Sequence, residues 1–246
     1  IFNTFSILIK PIFFMSKTLI FTATYNEKEN IKKLIQDINK LNKDVDILVI
    51  DDNSPDKTWE ILQQLEKNLS NLKVIVRDGK SGLDTAHKFA YEYAKNNDYT
   101  NFISMDADLS HDPSEIPKIM SHLDEFPFVI GSRYSLGGKC EMNGFRLLLS
   151  VVGNKVFKYF LKINCNEFTS SYRGFNLVKL EGFDFSLINS KGYSFFMETI
   201  YRINKLNFEI KEIPIIFKNR AQGKSKIPKI EIFRTLKNIL VLKFFG

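Results

Sequence analysis

The sequence predicts an α/β protein built on a mostly parallel sheet with helices on both faces, and three observations predict it. From Thr18 onward, short β-rich runs alternate with longer amphipathic ones. Turn residues stand between them, and the βα units repeat at a length that implies crossover connections between parallel strands. The chain has 246 residues, 44% hydrophobic and 26% charged, with 12 Gly and 7 Pro, which suits one folded domain with a large core. A disordered chain, a collagen-like chain, a peptide hormone and a disulfide scaffold are all excluded.

The elements follow in order. Residues 18–24 (ThrLeuIlePheThrAlaThr) read as a strand, and Ile31, Leu34, Ile35 and Ile38 give the next segment one buried helical face. Residues 46–51 form strand two, and AspAspAsnSerProAsp (51–56) turns the chain into a helix over 58–69. LysValIleVal (73–76) is strand three. Gly79 and Gly82 bracket a loop before a helix whose apolar positions are Ala86, Phe89, Ala90, Tyr93 and Ala94. Residues 101–105 are strand four, and PheValIleGly (128–131) is another strand. The rhythm then breaks into a loop over 135–143 and a long apolar segment over 145–161, expected beside the carboxyl edge of the sheet. A strand over 170–176, a helix over 194–205 and a strand over 208–213 complete the body. No internal repeat interrupts it.

Charge is unevenly spread. The net charge is +7, yet residues 201–246 hold eleven Lys and Arg against three Glu, while the first 200 residues hold 24 against 25 acidic residues. A basic, aromatic-rich tail on a nearly neutral body points to an anionic partner: a nucleic acid, a membrane surface or a phosphorylated substrate. Cys140 and Cys165 lack CxxC spacing, so the expectation is an intracellular chain with neither a metal knuckle nor a disulfide framework. No apolar run reaches the roughly 18 residues needed to span a bilayer. The stretch 1–15 is interrupted by Asn3, Lys10 and Pro11, and Met15 reads as a start, so residues 1–16 are expected to be an extension outside the fold.

Ligands of an open parallel sheet bind beyond the carboxyl ends of its strands. Three polar clusters fall at such ends: TyrAsnGlu (25–27), AspAspAsnSerProAsp (51–56) and AspAlaAspLeuSer (106–110). Asp and Asn also serve as turn formers and helix caps, but three clusters on one edge favour a site. Asp106 and Asp108 lie two apart, so both carboxylates are able to point to one side, where they repel unless a cation shares them. Oxygen ligands in low number suit Mg²⁺ or Mn²⁺ completed by water and substrate phosphate, and a diphosphate is the matching guest. The histidines make no competing site, since His87 and His122 lie on helices and only His111 is near the carboxylates.

TyrAsnGlu, AspAspAsnSerProAsp, AspAlaAspLeuSerHis, GlySerArgTyr (131–134), GlyTyrSerPhePheMetGlu (192–198) and ArgAlaGlnGlyLysSerLys (220–226) occur in the order and spacing of dolichol-phosphate mannosyltransferases. Over residues 17–226 the chain resembles these inverting nucleotide-sugar transferases of the GT-A fold. The resemblance implies a nucleotide pocket lined by Ala23, where the family usually has Pro, together with Tyr25, Glu27, Ile50, Asp52, Asp106, Ala107, Arg220 and Lys226, the last two on a loop that closes over the donor. It places the metal on Asp106 and Asp108, with Ser110 where the family has Gln as a further contact. It gives the acceptor's phosphate to Arg133, Arg146 and Ser150. The expected catalytic set is Asp108, Arg133 and Arg220. Glu167, residues 169–171 and Arg173 occupy a stretch where the family shows Asp and Gly. The Gln-x-x-Arg-Trp motif of processive synthases is absent, and Trp59, the only Trp, is expected to be a packing residue.

The implied activity is transfer of a hexose, mannose from GDP-mannose, to a polyprenyl (dolichyl) monophosphate at the cytoplasmic face of a membrane, with Mg²⁺ or Mn²⁺. A lipid phosphate is already an anion, so the site needs positioning and charge stabilisation more than a strong base. Two other readings stand beside it: a UDP-sugar-dependent transferase on the same fold, and a catalytically idle subunit or anionic-surface binding module. Nucleic acid is not expected as a partner, because no helix-turn-helix or stacking-strand signature is present. Residues 227–246 read as a basic amphipathic helix with Ile232, Phe233, Leu236, Ile239 and Leu240 on one face and Arg234, Lys237 and Lys243 off it. Peripheral contact with an anionic membrane, or a membrane-anchoring partner subunit, is the corresponding expectation.

Overall fold

The structure is a computed structural model that describes residues 16–42, 44–220 and 230–245. Apart from Ser16, the expected N-terminal extension lies outside the described residues. In chain order the elements are β1 (Thr18–Thr24), α1 (Ile31–Leu41), β2 (Val45–Asp51), α2 (Thr58–Glu66), β3 (Leu72–Val76), α3 (Leu83–Asn96), β4 (Asn101–Ser104), α4 (Ile116–Leu123) and β5 (Phe128–Ser132). They continue as β6 (Lys139–Cys140), α5 (Gly144–Leu161), β7 (Arg173–Asn176), α6 (Ser194–Lys205), β8 (Ile210–Pro214), β9 (Ile216–Phe217) and α7 (Ile230–Phe245).

Seven strands form one sheet in the order β3-β2-β1-β4-β7-β5-β8, with only β7 antiparallel to its neighbours, while β6 and β9 pair separately. This agrees with the expected α/β class. Strands β1, β2, β4 and β5 are buried on both faces, as a helix-covered parallel sheet requires, while the edge strands β3 and β8 are partly exposed. Alternate residues of each strand feed two cores. Leu19, Phe21, Leu48, Ile50 and Phe102 face α3, α6 and a phenylalanine-rich cluster with Phe175, Phe183, Phe185 and Phe195. Ile20, Ile47, Val49, Ile103 and Val129 face α1, α2 and α4. Gly174 of β7 lies so close under α4 that a Cβ there would stand 2.6 Å from Ile119 Cγ2.

The differences from expectation are local. α2 ends at Glu66 because Asn68 turns its amide onto the Gln64 carbonyl at 2.9 Å. β7 starts at Arg173 rather than Ser170, because the Thr169 and Ser170 amides are drawn onto the Glu167 carboxylate at 3.0 and 3.1 Å. β8 starts at Ile210, since the Phe208 amide still bonds to Ile203 O at the end of α6. Phe89 is 48% exposed, because α3 buries the stripe Ala86, His87, Ala90, Tyr91 and Ala94. α4 had no counterpart in the sequence reading. Its signal was present in AspProSerGlu (112–115), where the Asp112 carboxylate caps the Ser114 amide at 3.0 Å and Pro113 opens the turn.

α7 packs against α5 and α6. Ile239 and Leu242, one turn apart, seal the phenylalanine-rich core, so Ile239 and Leu240, expected on one face, divide between core and surface. The outward residues are Leu240, Val241 and Phe244, while the side chains of Ile232, Phe233, Arg234 and Leu236 lie outside the described residues.

Candidate active site

Because β1, β2, β4, β5 and β8 run the same way, their carboxyl ends share one edge of the sheet, and the antiparallel β7 brings its beginning to that edge. The loops after β1 and β2 are zipped together there. Asn26, in a left-handed conformation (φ 57°), donates its amide to Ser54 Oγ at 3.0 Å, and the Glu27 amide donates to Thr58 Oγ1 at 3.0 Å. Buried Asp51 accepts from Thr24 Oγ1 (2.6 Å), Ser54 N (2.8 Å) and Ser54 Oγ (2.7 Å). Asp51 is therefore a strut, and its neighbour Asp52 is left to face the edge.

Asp52 is held from two sides. Arg77, immediately after β3, pairs with Asp52 Oδ1, and the Ser81 amide donates to Asp52 Oδ2 at 3.2 Å. The same guanidinium reaches Thr85 Oγ1 at 2.6 Å and Gly82 O at 3.2 Å. Lys80 Nζ stands 4.4 Å from the centroid of the Tyr25 ring, a cation–π contact between the loops that follow β3 and β1. Arg77 and Lys80 escaped the sequence reading. The signal that could have found Arg77 is its place at the carboxyl end of a parallel strand.

The Asp106–Asp108 turn is set by hydroxyls. Ser171 Oγ donates to Asp106 Oδ1, and the Ser110 amide and hydroxyl both donate to Asp108 Oδ1. Leu109, left-handed at φ 64°, folds Ser110 back onto that carboxylate. Ser110, expected as a further metal contact, is thus turned into Asp108; serine lacks the reach of the glutamine found there in the family. The Asp106 amide donates to His111 Nδ1 at 3.1 Å, so the ring proton is on Nε2, which is buried with no hydrogen-bond partner among the described residues. Burial is the main influence on the His111 pKa and pulls it below the usual imidazole value, with Asp106 and Asp108 opposing.

Arg220 closes the cluster. The Lys218 amide donates to Ser110 O at 3.0 Å, and Lys218 Nζ binds Asp112 Oδ2 at 2.7 Å. Two residues on, Arg220 Nη2 lies 2.8 Å from Asp108 Oδ2 and Nη1 lies 3.4 Å from Glu27 Oε1. The clusters at 25–27 and 106–110, far apart in sequence, thereby meet around one guanidinium.

Behind them Arg133 donates to Glu167 through Nε and Nη2, each at 2.7 Å, and through Nη2 to Thr169 Oγ1 at 2.7 Å. Both partners are buried. Burial works to raise the Glu167 pKa, yet the charge and hydrogen bonds of Arg133, with those of Thr169, more than offset it and hold the carboxyl below its usual range. Burial works against Arg133 in turn, and Glu167 reverses it, raising the guanidinium pKa. Tyr134 Oη donates to Ser150 Oγ at 2.7 Å, which ties α5 to this wall. Arg173, by contrast, is a strut: its guanidinium is spent on the carbonyls of Ser170, Phe196 and Phe168 at 2.7, 2.7 and 2.9 Å, and burial lowers its pKa to about 9.

Of the expected site residues, Tyr25, Glu27, Asp52, Asp106, Asp108, Arg133, Ser150 and Arg220 all lie on this edge or its α5 wall. Ala23 sits beside Ile50 in the β1–β2 register. The side chains of Ile50 and Ala107 are packed into the two cores, which differs from the pocket lining expected of them. The side chain of Arg146 and all of Lys226 lie outside the described residues.

The donor set fits a hard divalent cation. It consists of two carboxylates whose Oδ1 atoms are tied by serine hydroxyls, and among the described residues no cluster of three His, Cys, Asp or Glu forms a competing centre.

Residues 19–181 match the family described as Glycosyl transferase family 2. The chain is 33% identical over 214 residues to a polyprenol monophosphomannose synthase of Mycolicibacterium smegmatis, covering 86% of this chain and 81% of the relative. It is 31% identical over 212 residues to an undecaprenyl-phosphate mannosyltransferase of Micrococcus luteus, covering 86% and 87%. Among solved structures, glucosyl-3-phosphoglycerate synthase from Mycobacterium tuberculosis, in complex with Mn²⁺, UDP and phosphoglyceric acid, superposes with a TM-score of 0.63 at 14% identity, over 93% of this chain and 77% of that one. A mannosyltransferase from Pyrobaculum calidifontis in complex with GDP-Man and Mn²⁺ gives 0.54 at 15% identity, over 85% and 58%. At these identities the structural likeness speaks for the fold alone.

Proposed function

The chain belongs to glycosyl transferase family 2, and we propose that it moves mannose from GDP-mannose onto a polyprenyl monophosphate with inversion at the anomeric carbon. The observation that carries this reading is the meeting of Glu27, Asp108 and Arg220 beside Asp106 at the carboxyl edge of the sheet. The two mannosyltransferase relatives support the choice of sugar and acceptor.

In this reading Asp106 and Asp108 would hold Mg²⁺ or Mn²⁺, which when bound would supply positive charge to the leaving nucleoside diphosphate. Asp52, braced by Arg77 and Ser81, receives the nucleoside, and Tyr25 under Lys80 forms its wall. Arg220 supplies a planar fork to the diphosphate. Arg133, oriented by Glu167, stands on the acceptor side with Tyr134 and Ser150, where it lowers the cost of bringing a lipid phosphate against an anionic donor. The phosphate oxygen attacks the anomeric carbon as an anion, so no side chain has to remove a proton. Offering GDP-mannose, UDP-glucose and other nucleotide sugars with a polyprenyl phosphate, and identifying the lipid product by mass spectrometry, tests the reading. A mannosyl-phospholipid formed from GDP-mannose is the expected product, and a product formed only from a UDP-sugar would overturn the donor assignment.

A membrane-borne acceptor requires the enzyme to reach a bilayer surface. Among the described residues no helix is long and apolar enough to cross a membrane. α5 and α7 lie side by side and present outward Leu148 (57% exposed), Val152 and Tyr159 (79%) together with Leu240, Val241 and Phe244 (69%). Lys155, Lys237 and Lys243 are exposed among them, and Lys243 lies 4.9 Å from the Phe160 ring centroid. We assign this face to peripheral contact with the anionic cytoplasmic leaflet. Changing Leu240 and Phe244 together to Glu is expected to weaken sedimentation with phosphatidylglycerol vesicles about tenfold or more, with GDP binding retained. Equal sedimentation of the variant and the parent chain would place the membrane contact elsewhere.

A further inference from the structure

The guanidinium of Arg220 lies where a cation bound to Asp108 would place its charge. It donates to Asp108 Oδ2 at 2.8 Å and reaches Glu27 Oε1 at 3.4 Å, while Asp108 Oδ1 is already taken by the Ser110 amide and hydroxyl. Asp108 and Glu27 are both buried, so these contacts are formed with little water between them. The backbone fixes the arrangement, because Lys218 is anchored to Ser110 O and Asp112 two residues before Arg220. Asp106 is the contrasting carboxylate: among the described residues it accepts from Ser171, with His111 Nδ1 3.8 Å from its other oxygen, and its side chain is 39% exposed.

Two positive charges cannot share one carboxylate oxygen without repulsion. A free divalent ion therefore has to displace the Arg220 guanidinium from Asp108. A diphosphate arriving with the ion changes that balance, since it brings its own negative oxygens and offers Arg220 a bidentate partner in place of Asp108.

We propose that Arg220 is the internal counter-cation of the nucleotide-free site, so that the ligand this site takes is the complex of a divalent cation with a nucleoside diphosphate and not the free ion. The inference rests on the reading of this edge as a metal–nucleotide-sugar site. Binding of ion and diphosphate is then coupled, and the coupling is reciprocal: each raises the affinity for the other by the same factor.

The test is a Mn²⁺ titration of the full chain, followed by the electron paramagnetic resonance signal of the free ion, with and without GDP or UDP, for the parent protein and for Arg220→Gln and Arg220→Lys. The parent is expected to bind Mn²⁺ weakly alone and at least about fivefold more tightly with nucleotide. Arg220→Gln is expected to bind Mn²⁺ alone at least about fivefold more tightly than the parent, to bind GDP more weakly, and to lose most of the coupling. Arg220→Lys, which keeps the charge, is expected to resemble the parent in the nucleotide-free titration. A thermal melt confirms that the variants are folded. An Arg220→Gln protein that is folded yet binds Mn²⁺ alone no more tightly than the parent overturns the counter-cation role while leaving the site assignment standing. A parent protein that binds no Mn²⁺ with either nucleotide overturns both.

Discussion

Replacing Asp108 with Asn is expected to reduce mannosyl transfer on the order of a hundred- to a thousandfold, with little change in stability. The substitution keeps an Oδ1 acceptor for the Ser110 amide and hydroxyl, so the turn at Leu109 holds. It removes the negative charge from the oxygen that Arg220 touches, and with it half of the carboxylate pair assigned to the cation. Chelation by EDTA is expected to abolish turnover of the parent, and added Mn²⁺ or Mg²⁺ to restore it. Turnover measured with the polyprenyl acceptor, beside a thermal melt, checks both halves of the expectation. Undiminished transfer by Asp108→Asn, or by the parent in metal-free buffer, would sink the cation assignment.

Glu167→Ala is expected to have the largest effect on stability, a loss of about 3–5 kcal/mol by urea denaturation. It strands the Arg133 guanidinium in the interior and also orphans the Thr169 and Ser170 amides that converge on Glu167 Oε1. Glu167→Gln keeps the size and part of the hydrogen bonding, so it is expected to fold, to lose less stability, and to raise the KM for the lipid phosphate more than that for the donor. The pH dependence has a definite sign. The folded-state pKa of Glu167 is depressed, so the stability it contributes is fully present above the unfolded value of about 4.3 and is lost as pH falls through the lower folded value. The parent is therefore expected to lose stability over that acidic window more steeply than Glu167→Gln. Parallel stability–pH curves for the two proteins would show that the ion pair does not supply the term.

Most of the frame was legible because its causes are local. The short β-rich runs of β1 and β2, buried almost throughout, and the stripe Ile31, Leu34, Ile35 and Ile38 in α1 are both set by local sequence pattern. The active edge was legible for a related reason: in parallel strands every carboxyl end falls on the same side, so TyrAsnGlu, AspAspAsn and AspAlaAsp had to converge once the strands were recognised. α4 was missed although Asp112 and Pro113 announce it, and Phe89 was misplaced because two overlapping stripes on α3 look equally apolar until the sheet selects the one bearing Tyr91.

The sequence by itself thus determined the α/β class, the edge that carries the site and the carboxylates of that site, all consequences of short-range pattern. Only the tertiary structure decided which charges meet. That Arg133 is held by Glu167, that Ser171 steers Asp106, that Arg77 braces Asp52 and that Arg220 rests on Asp108 and Glu27 depends on the strand order β3-β2-β1-β4-β7-β5-β8 and on loops crossing that edge. The same is true of α7, whose apolar residues divide between core and surface according to where α5 and α6 stand. The physical reason is shared: a hydrophobic period records which side of an element is buried, whereas an ion pair between distant residues is set by how whole elements pack, and no local pattern encodes that.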